Sequence, residues 1–221
     1  MKKKVISGLV LGTSVLGVCV ASGVTSYAAE TEVGIGFSTH TDPGEPGDLK
    51  LRWVPAELDF GSDNTVNKTA AVEFPERDEA AGSNKYVVVE DSRDHSGADL
   101  EWKVTAELSE LVSTTVAANK LPGATLSFNT DLKDYSGTED PATAGIGAVA
   151  GQTATMAANY ILNIDTPIQV MKDNGDGSVT TSFEGNTAMQ MKDIKLKVPA
   201  NVAQKGNQYK GTITWTLADT I

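Results

Sequence analysis

Tyr209-Lys210-Gly211-Thr212-Ile213-Thr214-Trp215-Thr216-Leu217 is the stretch on which the reading of this chain turns. Tyr209, Gly211, Ile213, Trp215 and Leu217 share one parity, and Lys210, Thr212, Thr214 and Thr216 share the other. Successive side chains of a strand point to opposite faces, so this run makes one dry face and one wet face.

The same period recurs upstream. Leu100, Trp102, Val104, Ala106 and Leu108 alternate with Glu101, Lys103, Thr105 and Glu107. Ile194, Leu196 and Val198 alternate with Lys195 and Lys197, and Val33, Ile35 and Phe37 alternate with glycine and serine. Residues 86–90, 124–129 and 153–165 read as further strands. Turn chemistry separates the runs: the Pro/Gly segment 41–48, Ser136-Gly137, Asp173-Asn174-Gly175-Asp176-Gly177 and Lys205-Gly206-Asn207. Residues 134–151, rich in Gly, Ala and Thr, read as a long surface loop. One weak helix is conceivable over 109–118, although its β-branched residues oppose it. No heptad pattern occurs outside the first residues. Many short strands with one dry face each imply an all-β chain, an antiparallel β-sandwich or barrel-like single domain.

The first residues belong to a different physical regime. Lys2, Lys3 and Lys4 precede an apolar, glycine-containing run to Val24, and Ser26-Tyr27-Ala28 places small residues where a signal peptidase reads. Residues 1–28 are expected to be a cleaved signal peptide, leaving no membrane span after processing. Residues 29–50 then form an N-terminal strand and a Pro/Gly-rich turn segment, and 51–221 the main β domain. Cys19, the one cysteine, lies inside the leader and lacks the small preceding residue of a lipidation site. The expected mature chain is thus free of cysteine and folds outside the cell without disulfides.

Composition narrows the partners. The 221 residues are 40% hydrophobic and 21% charged, a globular balance. Net charge is −11, and losing residues 1–28 removes three lysines and no acid, giving −14. A surface that acidic repels nucleic acid and other polyanions, so binding to a polyanion by bulk charge is not expected. One segment departs from this: between Lys192 and Lys210 five lysines stand against one acid, Asp193. It is either a solvated strand face or a small basic patch for an anionic polymer or an acidic partner.

The closing residues resemble a known family. Tyr209-x-x-x-Ile213-Thr214-Trp215-x-Leu217 is similar to the terminal pattern of the WxL domain of Gram-positive surface proteins, Y-x-x-x-[LIV]-T-W-x-L-x-x-x-P, with Ile221 in place of the final proline. Lys195-Leu196-Lys197-Val198-Pro199 and Leu58-Asp59-Phe60-Gly61 also resemble that family. So does Asp91-Ser92-Arg93 followed by Gly97 and Trp102, where the first WxL motif reads Trp102-Lys103-Val104. Valine keeps the apolar β position, but a recognition role that needs leucine there is weakened. The resemblance implies a secreted, cell wall-surface protein that binds peptidoglycan non-covalently, without catalysis, and works alongside other surface proteins of the same gene cluster. The sequence carries no LPxTG-like sorting signal and no lipobox, which agrees with non-covalent retention.

The expected wall-binding residues are Trp102, Trp215 and Leu217, with Tyr209, Lys195 and Lys197 as further contacts. The tryptophans admit two readings, core packing or an exposed platform for sugar rings. The residues 172–183 fail the first and last positions of a calcium loop, so 173–177 reads as a hairpin turn. Asp91, Arg93 and Asp94 read as a salt-bridged turn. His40 and His95 sit in polar, loop-like contexts, and no nucleophile elbow, zinc motif or cysteine nucleophile is present. No catalytic residue, metal or cofactor is expected. Two rival functions remain open: an adhesin for a host matrix protein, and a wall glycan hydrolase on a β-scaffold.

Overall fold

The computed structural model describes residues 26–33, 49–80, 83–93, 100–173 and 183–219. Two sheets account for nearly all of the regular structure. The first contains β1 (Ser26–Val33), β3 (Glu57–Leu58), β6 (Trp102–Leu108), β11 (Ile168–Asp173) and β13 (Tyr209–Asp219), in the order β11-β6-β13-β1-β3, with β7 (Val112–Ser113) also on β13. The second contains β2 (Leu49–Trp53), β5 (Lys85–Asp91), β8 (Thr125–Tyr135), β10 (Asn159–Asn163) and β12 (Gly185–Val198), in the order β10-β8-β12-β5-β2. There β4 (Val72–Pro75) joins β12, and β9 (Ile146–Gly147) joins β8. The pairing is antiparallel, save a two-residue parallel match of β1 with β3. The all-β sandwich read from alternation is therefore the fold of this chain.

One apolar core lies between the sheets. Trp102, Val104, Ala106 and Leu108 of β6 fill it from one side with Ile213, Trp215 and Leu217 of β13. Leu126, Phe128, Met189, Met191 and Leu196 meet them from the other sheet. A second, smaller cluster sits on the outer face of the β5–β12 pair: Tyr86, Val88, Tyr135 and Ala188, with Trp53 and Ile146 packed against it. Val87, Val88 and Val89 are consequently all sealed, so β5 is dry on both faces.

β12 carries the principal bend. Its first half pairs with β5 and its last four residues with β4, across an irregularity between Lys192 and Lys195. Asp193 sits at φ 50° there, and the single helical turn α1 (Arg77–Ala80) clips the bulge from outside. The Glu79 carboxylate accepts the backbone N–H groups of Asp193 and Ile194. A bulge leaves backbone donors out of the ladder, and the carboxylate supplies the missing acceptor. Glu76, fully buried, accepts the N–H groups of Glu79 and Asp59 at 2.6 and 3.2 Å and so holds the turn.

Several elements differ from the sequence reading. The helix conceived over 109–118 is absent; β7 and turns occupy the segment, as its β-branched residues favour. Within 153–165 only Asn159–Asn163 is a strand. The loop begins after Tyr135, because β8 runs that far, and it returns as β9 to cover the outer cluster. The 41–48 turn, the 174–177 part of the hairpin turn, residues 34–37, His40, Asp94 and His95 lie outside the described residues.

Candidate functional site

The two W-x-[L/V] motifs face one another across neighbouring strands. β13 and β6 pair so that Trp215 lies opposite Ala106, Leu217 opposite Val104, and Asp219 opposite Trp102. Trp215, Leu217 and Val104 are 0% exposed and Trp102 is 1% exposed. The indole N–H of Trp215 donates to Thr31 Oγ1 at 2.5 Å, a bond spanning 184 residues. A buried indole needs such a partner, because an unpaired buried donor is costly. β1 therefore completes the seam: Ala29 pairs with Trp215 and Thr31 with Ile213.

The direct-contact expectation for Trp102, Trp215 and Leu217 gives way at this point. A polymer outside the folded domain has no access to side chains sealed between two sheets. The core alternative, weighed beside it in the sequence, fits their burial.

Arg93 locks one end of the sandwich. Its guanidinium donates to Asp91 through Nε at 2.9 Å and through Nη2 at 2.7 Å, and its Nη1 lies 2.9 Å from Asp219 Oδ1. Asp91 ends β5 in one sheet and Asp219 ends β13 in the other, so one cation ties both sheets. Burial disfavours the Arg93 charge, yet Asp91 and Asp219 outweigh it and raise the guanidinium above its ordinary value. Asp173, also buried, accepts Thr153 Oγ1 at 2.8 Å and the Phe183 N–H at 3.0 Å, anchoring the end of β11.

The remaining sequence-derived residues divide between two surfaces. Lys195 and Lys197 alternate with buried Leu196 and Val198, which puts them on the outward face of β12. Tyr209, half-buried, opens onto a cleft at the end of the sandwich opposite Arg93.

That cleft encloses about 850 Å³ and was not foreseen from the sequence. Its floor is the end of the core: Phe60, Phe74, Leu111, Leu196, Val198 and Tyr209. One wall is the loop after Phe60, and the other is the turn 199–208. The Asn201 N–H donates to the Asn67 carbonyl at 3.0 Å and joins the two walls. Each wall braces itself: Asn64 Nδ2 donates to the Phe60 carbonyl at 2.7 Å, and Asn67 Oδ1 accepts the N–H groups of Thr69 and Ala70. Gln204 N–H donates to Tyr209 Oη at 2.8 Å, fixing the aromatic ring against the turn.

Gly61 explains the Leu58-Asp59-Phe60-Gly61 turn that opens the first wall. It lies at φ 88°, and a Cβ there would stand 2.2 Å from the Arg77 guanidinium. Only glycine serves both demands. Arg77 in turn pairs with Asp63, whose carboxyl is held below its ordinary value by that hydrogen bond.

Among the described residues the cleft is lined by Lys68, Lys205 and Lys210 and by no aspartate or glutamate. Its rim carries six side-chain amides: Asn64, Asn67, Asn201, Gln204, Asn207 and Gln208. The sequence signal that could have pointed here is the lysine-rich stretch toward Lys210. Its partner walls come from residues more than a hundred positions earlier.

Comparison with known proteins identifies the lineage. The WxL domain surface cell wall-binding family matches residues 36–220, nearly the whole chain. No curated protein and no solved structure gives a significant match. The chain belongs to the WxL family, and its place is the cell surface, at the cell wall.

Proposed function

We propose that this WxL-family protein is a non-catalytic, non-covalent peptidoglycan binder that assembles at the wall with other surface proteins. The observation that carries the reading is the family match over residues 36–220, which takes in the second sheet, every strand of the first sheet except β1, and the cleft. The buried motifs then act as supports: Trp102, Trp215 and Leu217 hold β6 and β13 together. Contact falls to groups that reach the surface, among them half-buried Tyr209 at the cleft and Lys195 and Lys197 on the outer face of β12.

Export fits the same picture. Cleavage after Ala28 would leave residues 29–33 paired with residues 211–215 of β13, and Thr31 would still cap Trp215. Amino-terminal sequencing of the secreted protein tests this, with Ala29 as the expected first residue.

The deciding experiment is sedimentation of purified protein with purified sacculi. Retention at physiological ionic strength, without release of reducing ends or muropeptides, is the expected result. Protein left in the supernatant overturns wall binding, and released glycan overturns the non-catalytic reading. Recovery from native walls with no co-purifying surface protein overturns the assembly.

A further inference from the structure

We infer that the cleft between the 61–71 loop and the 199–208 turn is the wall-binding site, and that its ligand is an N-acetylated glycan segment bearing free carboxylates. The inference rests on the peptidoglycan reading and assigns that reading a place and a chemistry.

Charge is the first argument. The chain has 29 acids against 18 lysines and arginines, yet among the described residues three lysines and no acid line this cleft. Asp63 sits in the same loop but is turned to Arg77 and does not line it. Lys68 and Lys205, both exposed, form no ion pair among the described residues. Low-dielectric walls concentrate the field of such cations, so an anion is drawn here although the protein as a whole repels it.

The floor is the second argument. An apolar base with Phe74 and Tyr209 partly uncovered suits the C–H face of a sugar ring and the methyl of an acetamido group. The side-chain amides of Asn201, Gln204 and Gln208 have no protein partner among the described residues. An amide offers both donor and acceptor, which matches hydroxyl and acetamido groups. A polyol phosphate would use the lysines and leave the apolar floor without a counterpart. A neutral glycan would use the floor and leave Lys68 and Lys205 without a counterion. A carboxylate-bearing acetamido glycan uses both.

The third argument is that the walls are built before any ligand arrives. Asn64, Asn67 and the Asn201–Asn67 backbone bond hold the loops, so little ordering is left to be done on binding.

The test uses the full mature protein and a purified disaccharide–peptide fragment of peptidoglycan with free carboxylates, alongside the sacculus assay. Lys68→Glu combined with Lys205→Glu is expected to weaken binding to both by about tenfold or more. The melting temperature should stay unchanged, because both residues are exposed. Lys103→Glu, at the far end of β6, controls for bulk charge and should leave binding as it was. Amidating the fragment's carboxylates should weaken binding to a similar degree. If wild-type protein binds sacculi and the double variant binds equally well, the cleft assignment fails while the wall reading stands. Equal binding of the amidated fragment, or stronger competition by polyglycerol phosphate, overturns the ligand chemistry. If wild-type protein ignores sacculi, the wall reading fails and the cleft assignment falls with it.

Discussion

The two ends of this sandwich are built to opposite rules. Around Trp215 and Trp102 everything is sealed: two neighbouring strands interleave their apolar faces, Thr31 satisfies one indole, and Arg93 closes the end with Asp91 and Asp219. At the other end the core opens onto a cleft where Phe74 and Tyr209 are partly uncovered, and loops rimmed by amides and lysines stand around it. The motif that identifies the family lies in the first region, and the accessible surface lies in the second. A sequence signature can thus report packing, while most of an accessible cleft is lined by residues outside it.

Substitutions that separate the two regions test the contrast, and the largest effect belongs to the sealed end. Trp215→Ala removes a fully buried indole and should cost about 3–5 kcal/mol. Urea and thermal unfolding would show it; an unchanged melting temperature with lost wall binding would invert the assignment of the two regions. Asp91→Asn strips the charge from the Arg93 clasp, and about 1.5–3 kcal/mol should follow. The melting temperature should fall while the cleft keeps its ligand once folded. Thr31→Val leaves the Trp215 N–H without an acceptor and should cost about 1 kcal/mol. It also tests whether β1 completes the seam, since a neutral result would mean the indole has another partner.

Acid should touch the open end most gently. Asp63 and Asp131 are both held below the ordinary carboxylate value of 3.8, Asp63 by its hydrogen bond to Arg77 and Asp131 by its hydrogen bond to Lys192. A depressed folded value means support that is present above 3.8 and lost as pH falls through the folded value. Both groups are solvent-exposed, so screening keeps the loss small. Asp63→Asn should therefore flatten the acid limb of a melting-temperature profile slightly and leave its neutral value nearly unchanged.

Strands with one dry and one wet face were legible residue by residue. β6 and β13 alternate without interruption in sequence, and the structure keeps that parity along all of β6 and from Ile213 to Leu217 of β13. β12 was read only over its last third, because Thr187–Met189 is covered on both sides. A strand covered on both sides shows no alternation, so Thr187, Ala188 and Met189 gave no period to find. The tail of the 134–151 segment was read as open loop because its Gly, Ala and Thr residues do not announce that Tyr135 and Ile146 pack on the outer face. At the candidate site, Tyr209 was singled out in advance, and so were the lysines toward Lys210. The other wall, residues 60–74, was read only for its Phe60-Gly61 turn.

Period-2 patterning, turn residues and the closing Tyr-Thr-Trp-Leu spacing were enough to establish an all-β chain of the WxL type, since those signals act between near neighbours and survive in one dimension. Whether Trp215 faces water or a second sheet is not a local property. It follows from β12 and β8 closing over β13, and from Thr31 arriving 184 residues away. The cleft is likewise made of segments remote from each other in sequence, so its missing acids and gathered lysines exist only once the chain has folded.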